Sequence, residues 1–97
     1  MQETVRQAIV SKKIIEFTYG GYPRVVEPHV LGIQDGSLQF LGYQVAGSSS
    51  SGGIPEWRRF NLDGVSGLTI TDQKFPGPRP FPSGRHSSWD HQIAVVA

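Results

Sequence analysis

Residues 3–12 carry apolar side chains at helical spacing. Val5, Ala8 and Ile9 fall at i, i+3 and i+4, which places them on one stripe of a helix. Lys12 suits the C-terminal end of this helix, where the backbone carbonyls carry partial negative charge. Because so short a helix is marginal in isolation, its apolar stripe must pack against the rest of the domain.

After the helix, apolar and polar residues alternate, as they do in strands that bury one face. Ile15, Phe17 and Tyr19 share one side of the first such segment. Turn residues separate it from further segments of the same kind. The predicted strands are residues 14–19, 22–28 with an extension to 33, 37–47, 56–63 and 65–72, and a sixth short strand is expected within 91–97.

The turns between these segments indicate antiparallel pairing. Gly20-Gly21 and Asp35-Gly36 are typical of two-residue hairpin turns, and Pro28 implies an edge, a bulge or a bend because it cannot donate to a strand ladder. We therefore expect a mainly β fold, a small SH3-like or Sm-like antiparallel barrel of about five strands preceded by one short helix, since closure removes exposed strand edges. A flat sheet with the helix on one face is the alternative.

Composition changes along the chain after residue 72. Residues 1–72 form the predicted barrel domain with its N-terminal helix, and residues 73–97 form a Pro-rich extension. A chain of 97 residues has room for one core. The N-terminal segment lacks the apolar run of a signal peptide or a membrane span, so we expect a cytoplasmic protein with no membrane partner.

Charge, cysteine content and motif spacing exclude several functional classes. The net charge of +1 argues against bulk electrostatic capture of nucleic acid but permits a local basic pocket. The absence of cysteine excludes disulfides and thiolate metal sites. The three histidines and Asp90 lack the spacing of a metal site, and Ser48–Ser51 have no fixed base beside them. We expect neither an enzyme nor a cofactor or metal.

Two adjacent arginines interrupt the fourth strand. Arg58 shares a face with the apolar Phe60, whereas Arg59 points the other way and is expected to be solvated. A buried guanidinium without a partner costs about 3–5 kcal/mol. Two interpretations of Arg58 follow: a structural ion pair with Glu27 or Asp63, and a bidentate clamp for a phosphate or carboxylate ligand.

Four polar residues on the second and third strands are candidates to join Arg58. His29 follows the predicted bend, which can re-aim a side chain toward a pocket, and Arg24 lies on the same strand. Tyr43 offers a ring for stacking, and Gln44 offers an amide for hydrogen bonds to a base or small polar ligand. A hydrogen-bonded core histidine and a core or rim tyrosine are the structural alternatives.

Four stretches follow one another in a recognisable order: "IIEFTYGG", "RVVEPHVLGI", "LQFLGYQ" and "WRRFNLDGV". Together they resemble the WYL domain, a small β-barrel that is usually attached to bacterial transcriptional regulators. The resemblance covers about residues 3–72. The positions that correspond to the family's Trp-Tyr-Leu signature are Leu38, Gln39 and Phe40, and Tyr43 matches a later tyrosine.

The fourth strand resembles the arginine-rich strand of the same family. Arg58, Phe60 and the Leu62-Asp63 pair match, while Asn61 and Gly64 stand where the family has arginines. The resemblance implies a ligand-sensing or nucleic-acid-binding pocket lined by arginines and aromatics. No helix-turn-helix precedes the barrel in this sequence, so we do not expect direct operator binding.

We therefore expect a regulatory binding domain for an anionic ligand, such as a nucleotide, an oligonucleotide or another small effector. The candidate ligand-binding residues are Arg24, His29, Tyr43, Gln44, Arg58 and Arg59. The alternative is an assembly module without a small ligand, which forms a homodimer or docks on a regulatory protein. Trp57, Phe81 and Trp89 would then be interface anchors, a role that aromatic residues often have.

Overall fold

The computed structural model describes residues 1–50, 52–80 and 88–97. These residues form a mainly β fold with one N-terminal helix and an antiparallel six-stranded sheet, which confirms the predicted fold class. The elements are α1 (Gln2–Ser11), β1 (Lys13–Tyr19), β2 (Tyr22–Gln34), β3 (Ser37–Gly47), β4 (Glu56–Asn61), a 3₁₀ turn (Leu62–Gly64), β5 (Val65–Lys74) and β6 (His91–Val95).

Helix α1 uses the apolar stripe that its sequence predicts. Val5, Ala8 and Ile9 are fully buried against the sheet. The helix ends where Lys12 adopts a left-handed conformation with φ of 57°, and its N–H donates to the carbonyls of Ala8 and Ile9. This backbone cap turns the chain directly into β1 and fixes the helix on the core.

Both predicted hairpin turns are present. Gly20 and Gly21 have φ angles of 61° and 80°, and Asp35 and Gly36 have φ angles of 51° and 76°. Positive φ at both central residues is the requirement of a type I′ turn, whose twist matches that of the flanking strands. The turns therefore set the β1–β2 and β2–β3 pairings, with Tyr19 opposite Tyr22 in the first hairpin.

Strand β2 is the longest strand and organises the sheet. The strand order is β4-β3-β2-β1-β5, and β6 also pairs with β2. Because β3 occupies one edge of β2 throughout, β1 pairs with the first half of the other edge and β6 with the second half. A register shift between Pro28 and Val30 confirms the irregularity that Pro28 predicts, and it places His29 between two register pairs of the β2–β3 ladder.

The sheet is strongly curved around its apolar face. Phe60 on β4 packs against Phe17 and Tyr19 on β1, with ring centroids 4.9 and 5.1 Å apart. Three steps of strand spacing separate these strands in the sheet, which amounts to about 14 Å in a flat sheet. The curvature excludes the flat alternative and is consistent with the predicted barrel. The apolar face on the concave side of the sheet is here called the inner face. Its fully buried residues include Ile15, Val26, Leu31 and Phe40.

The predicted sixth strand is confirmed as β6, which ends at Val95. It lies so close to β2 that a Cβ atom on Gly32 would be 2.4 Å from the carbonyl oxygen of His91 and 2.8 Å from Cε3 of Trp89. Glycine at this position therefore permits the C-terminal segment to pack on the sheet.

We expect Gly32→Ala to loosen β6, because the new methyl group occupies the space of the His91 carbonyl and the Trp89 ring. The free energy of unfolding should fall by about 1–3 kcal/mol, as in other overpacked sites. Urea denaturation measures this loss, and hydrogen exchange should accelerate more in β6 than in β1. Ser66→Ala, at an exposed position of β5, is the control. Unchanged exchange in β6 of the Gly32→Ala variant would contradict this account.

Candidate functional site

The six candidate residues divide between the two faces of the curved sheet. Residues directly opposite each other on paired strands share a face. Arg24 lies opposite the core residue Phe17, and Gln44 lies opposite the core residue Val26. Arg58 precedes the core residue Phe60 by two positions, so it shares the inner face, as the alternation of side chains predicts.

His29 and Tyr43 lie on the outer face. Tyr43 is paired with Glu27 on one side and with Trp57 on the other, and His29 packs on Trp57 with ring centroids 4.8 Å apart. The structure therefore does not bring His29 and Tyr43 together with Arg58, contrary to expectation. His29 follows the outer-face Glu27 by two residues, so the alternation of side chains directs its imidazole outward, and the bulge does not return it to the inner face.

Arg24 and Arg58 line one open cavity along β4, here called the arginine cavity. Its volume is about 320 Å³. That is near the lower end of small-molecule sites, which span about 300–1,000 Å³. The other lining residues are Tyr19, Glu56, Trp57, Arg59 and Phe60.

The guanidinium of Arg24 is buried but has no acidic partner. Nη1 donates to Oε1 of Gln44 at 3.1 Å and Nη2 donates to the carbonyl of Tyr19 at 3.0 Å. Within residues 1–50, 52–80 and 88–97, no carboxylate forms an ion pair with Arg24. Burial, followed by the nearby Arg58 cation, lowers the pKa of Arg24. Both effects oppose its positive charge, and an anion in the cavity would relieve them.

Aromatic rings provide much of this burial. The rings of Tyr19, Tyr22 and Phe60 lie 5.6, 5.8 and 5.7 Å from Cζ of Arg24, within the range of cation–π attraction. Tyr22 is still 38% exposed, so its ring is accessible beside the cation. Sequence reasoning assigned the stacking surface to Tyr43 and missed Tyr19 and Tyr22. The pairing of these two residues across the first hairpin was the available signal.

Gln44 holds Arg24 in place without neutralising it. Its Oε1 accepts from Arg24, while Nε2 donates to the carbonyls of Ala46 and Ser48 at 3.1 and 3.2 Å. An ionised carboxylate cannot replace this amide, because it has no proton to donate to the two carbonyls. Gln44 is fully buried, and both ends of its amide bond within the chain. Gln44 therefore positions Arg24, and the expected role of its amide in bonding a ligand stays a prediction.

Arg58 pairs with Glu56, and neither of the two expected partners is used. The Nη2–Oε2 distance is 2.8 Å, and Glu56 is accessible because its side chain is 52% exposed. Side chains two positions apart on a strand share a face, whereas Glu27 belongs to the outer face. Arg58 also donates to the carbonyl of Gly52, which ties the glycine–serine loop beside the cavity. A solvent-exposed pair of this kind is weak, so an incoming anion can replace Glu56.

On the outer face, His29 is fully buried and neutral. Its Nδ1 lies 2.8 Å from the carbonyl of Glu27, and its Nε2 accepts from the backbone N–H of Arg79 at 3.2 Å. These partners define the tautomer with the proton on Nδ1. Burial is the main cause that lowers the pKa of His29. The ring also lies between Trp57 and Phe75, at 4.8 and 5.4 Å between centroids.

Arg79 closes the outer face with a bidentate ion pair. Its Nε and Nη2 donate to the two carboxylate oxygens of Glu27 at 2.7 and 3.1 Å, and its Cζ lies 4.4 Å from the Tyr43 ring centre. The guanidinium of Arg79 therefore stacks on the ring that was expected to stack on a ligand. Glu27 is 4% exposed, so its charge depends on this partner.

Arg59 is not the solvated residue that its position predicted. Its Cζ lies 3.9 Å from the Trp89 ring centre, and Nη2 donates to the carbonyl of Ser88 at 2.7 Å. The C-terminal segment thus covers the guanidinium, and burial lowers the pKa of Arg59. Trp57 and Trp89, the expected interface anchors, are both partly buried within the chain. Phe81, the third, lies outside the described residues.

Comparison with known proteins adds no family assignment. No family model matches the chain, and neither the curated proteins nor the solved structures contain a match. The resemblance to the WYL domain therefore stays a prediction. In the described part of the chain, no helix is long and apolar enough to cross a membrane. Among the same residues, which exclude His86, no three metal-ligating side chains form a cluster.

We expect His29 to make folding sensitive to acid. Its pKa lies below the ordinary value of 6.5 in the folded chain and returns to that value on unfolding. The unfolded state therefore binds more protons below about pH 6.5. As the pH is lowered, this group reduces the free energy of unfolding by at most about 1.4 kcal/mol per pH unit. Urea denaturation between pH 7.5 and 5 should show a shallower decline in His29→Asn than in the wild type.

The exposed His91 provides the matched control for this titration. His91→Asn should keep the wild-type dependence on pH. Parallel curves for the wild type and His29→Asn would contradict a buried neutral imidazole.

Proposed function

We propose that this chain is a ligand-sensing domain that binds an anionic ligand in the arginine cavity. The observation that carries the proposal is the buried Arg24 cation, which has no carboxylate partner in the described chain and lies beside a second cation, Arg58. An uncompensated charge of this kind costs stability, and neighbouring like charge adds to the cost. A bound anion removes both penalties at once.

The chemistry of the cavity favours a phosphate-bearing ligand. Arginine forks match phosphate oxygens in a bidentate geometry, and two forks at one cavity suit a group with several oxygens. Tyr19 and Tyr22 lie against Arg24 and offer ring faces on which a base can stack. A nucleotide or the end of a short oligonucleotide therefore fits this proposal better than a simple inorganic anion. The regulatory role rests on the resemblance to the WYL domain.

Glu56 acts as an internal competitor for the ligand in this proposal. Its carboxylate pairs with Arg58 at the cavity wall while remaining exposed to solvent. The ligand must displace this carboxylate from Arg58, or share the guanidinium with it. The affinity for the ligand then depends partly on Glu56, which makes no favourable contact with the ligand.

The first test is a titration at low salt with nucleoside mono- and diphosphates, pyrophosphate and a short single-stranded oligonucleotide. We expect binding to at least one phosphate ligand and a loss of about ten- to a hundredfold in Arg58→Ala, because a charge-assisted hydrogen bond contributes about 1.5–3 kcal/mol. Arg6→Ala makes the same charge change on the exposed helix surface and should have little effect. Absence of binding to all probes, or equal losses in both variants, would exclude the cavity as the site.

The second test removes the internal competitor. Glu56→Gln keeps the size of the side chain but frees Arg58 from its carboxylate, so the affinity for pyrophosphate should rise several-fold. Glu3→Gln is the matched control, because Glu3 pairs with Arg6 on the exposed helix. A weaker affinity in Glu56→Gln would show that the carboxylate supports binding and would contradict the proposed competition.

A further inference from the structure

Residues Phe75–Pro80, here called the strap, cross the outer face of the sheet after β5. The strap is anchored at its start: the N–H of Phe75 donates to the carbonyl of Lys12 at 2.9 Å, and the ring of Phe75 is buried against His29. Toward its end, Arg79 reaches Glu27. Arg79 is the contact that lies nearest to solvent, because its side chain is 42% exposed.

The surface beneath the strap is a groove formed by Glu27, His29, Tyr43 and Trp57, here called the outer groove. Each of three groups recognises one feature of Arg79. The Glu27 carboxylate accepts hydrogen bonds from the guanidinium fork, and the Tyr43 ring stacks on its flat face. Nε2 of His29 accepts a hydrogen bond from the backbone N–H. The contacts of Glu27 and Tyr43 specify arginine over lysine, because an ammonium group has neither a fork nor a flat face.

The outer groove also requires a cation. Glu27 is 4% exposed, and Arg79 is the partner that forms its ion pair in the described part of the chain. Pro78 and Pro80 flank Arg79 and restrict the backbone to extended conformations, so little entropy is lost when this sequence lies in the groove. The outer groove therefore combines a buried negative charge with a preorganised arginine and proline sequence.

We infer that the outer groove is a docking site for an extended arginine–proline segment of a partner protein, which the chain fills with its own strap. The inference does not rest on the arginine cavity, because its carrying contacts involve Glu27, His29 and Tyr43, none of which lines that cavity. A covalently attached segment has an effective concentration in the millimolar range when its linker is short. A free peptide of the same chemistry therefore competes poorly until the Arg79 contact is removed.

The test uses the acetylated and amidated pentapeptide Pro-Gly-Pro-Arg-Pro, which copies residues 76–80, with the alanine version of its arginine as control. We expect the peptide to bind Arg79→Ala at least tenfold more tightly than the wild type, as measured by tryptophan fluorescence and calorimetry. The alanine peptide should not bind either protein. The double variant E27Q/R79A should lose binding, because the groove has then lost its negative charge.

Folding of the variant is controlled separately, because Arg79→Ala leaves Glu27 buried without its partner. If this variant is unfolded, millimolar peptide must restore its folded circular-dichroism spectrum, and Arg79→Lys, which keeps the charge without the fork, must bind peptide more tightly than the wild type. Equal binding to wild type, Arg79→Ala and E27Q/R79A, or none to any of them, would overturn the inference. The inference would also be overturned if the wild type formed a dimer and Glu27→Gln abolished it. That result would indicate that two copies exchange their straps.

Discussion

The structure depends most on one constraint, the burial of the Arg24 guanidinium without an opposing carboxylate among the described residues. Curvature of the sheet creates the problem, since it brings Phe60 of β4 onto the rings of β1 and carries Arg58 toward Arg24. The Gln44 amide secures Arg24 by hydrogen bonding but adds no charge. The inner face thus has an unbalanced positive charge at an open cavity, and an anionic ligand is the simplest way to balance it.

Strand geometry explains why Glu27, the acidic residue on the same strand, does not solve this problem. Glu27 follows Arg24 by three residues on β2, and an odd separation places two side chains on opposite faces of a strand. Glu27 therefore faces outward, where its carboxylate is neutralised by Arg79 from the strap. The sheet separates the Arg24 cation on its inner face from the Glu27 carboxylate on its outer face, and each charge needs its own partner. On the outer face, Arg79 of the same chain is that partner.

The sequence predicted the local features of this fold and missed the contacts between distant segments. Apolar spacing located α1 and the strands, positive-φ turn residues located the hairpins, and alternation placed Arg58 with Phe60. The Arg79 contacts were not predictable, because they join residues about fifty positions apart and no periodicity records such pairing. Alternation alone places His29 on the outer face, because it follows Glu27 by two residues, and the bulge changes the face only from Val30 onward, where Leu31 enters the core.

The most direct test is the free energy of unfolding of the wild type and Arg24→Met, measured with urea while pyrophosphate replaces chloride at constant ionic strength. Binding to the folded state alone stabilises it by an amount that grows with the logarithm of ligand concentration above the Kd. The account predicts this gain in the wild type and its loss in Arg24→Met. The same gain in both proteins, or none in the wild type, would contradict it.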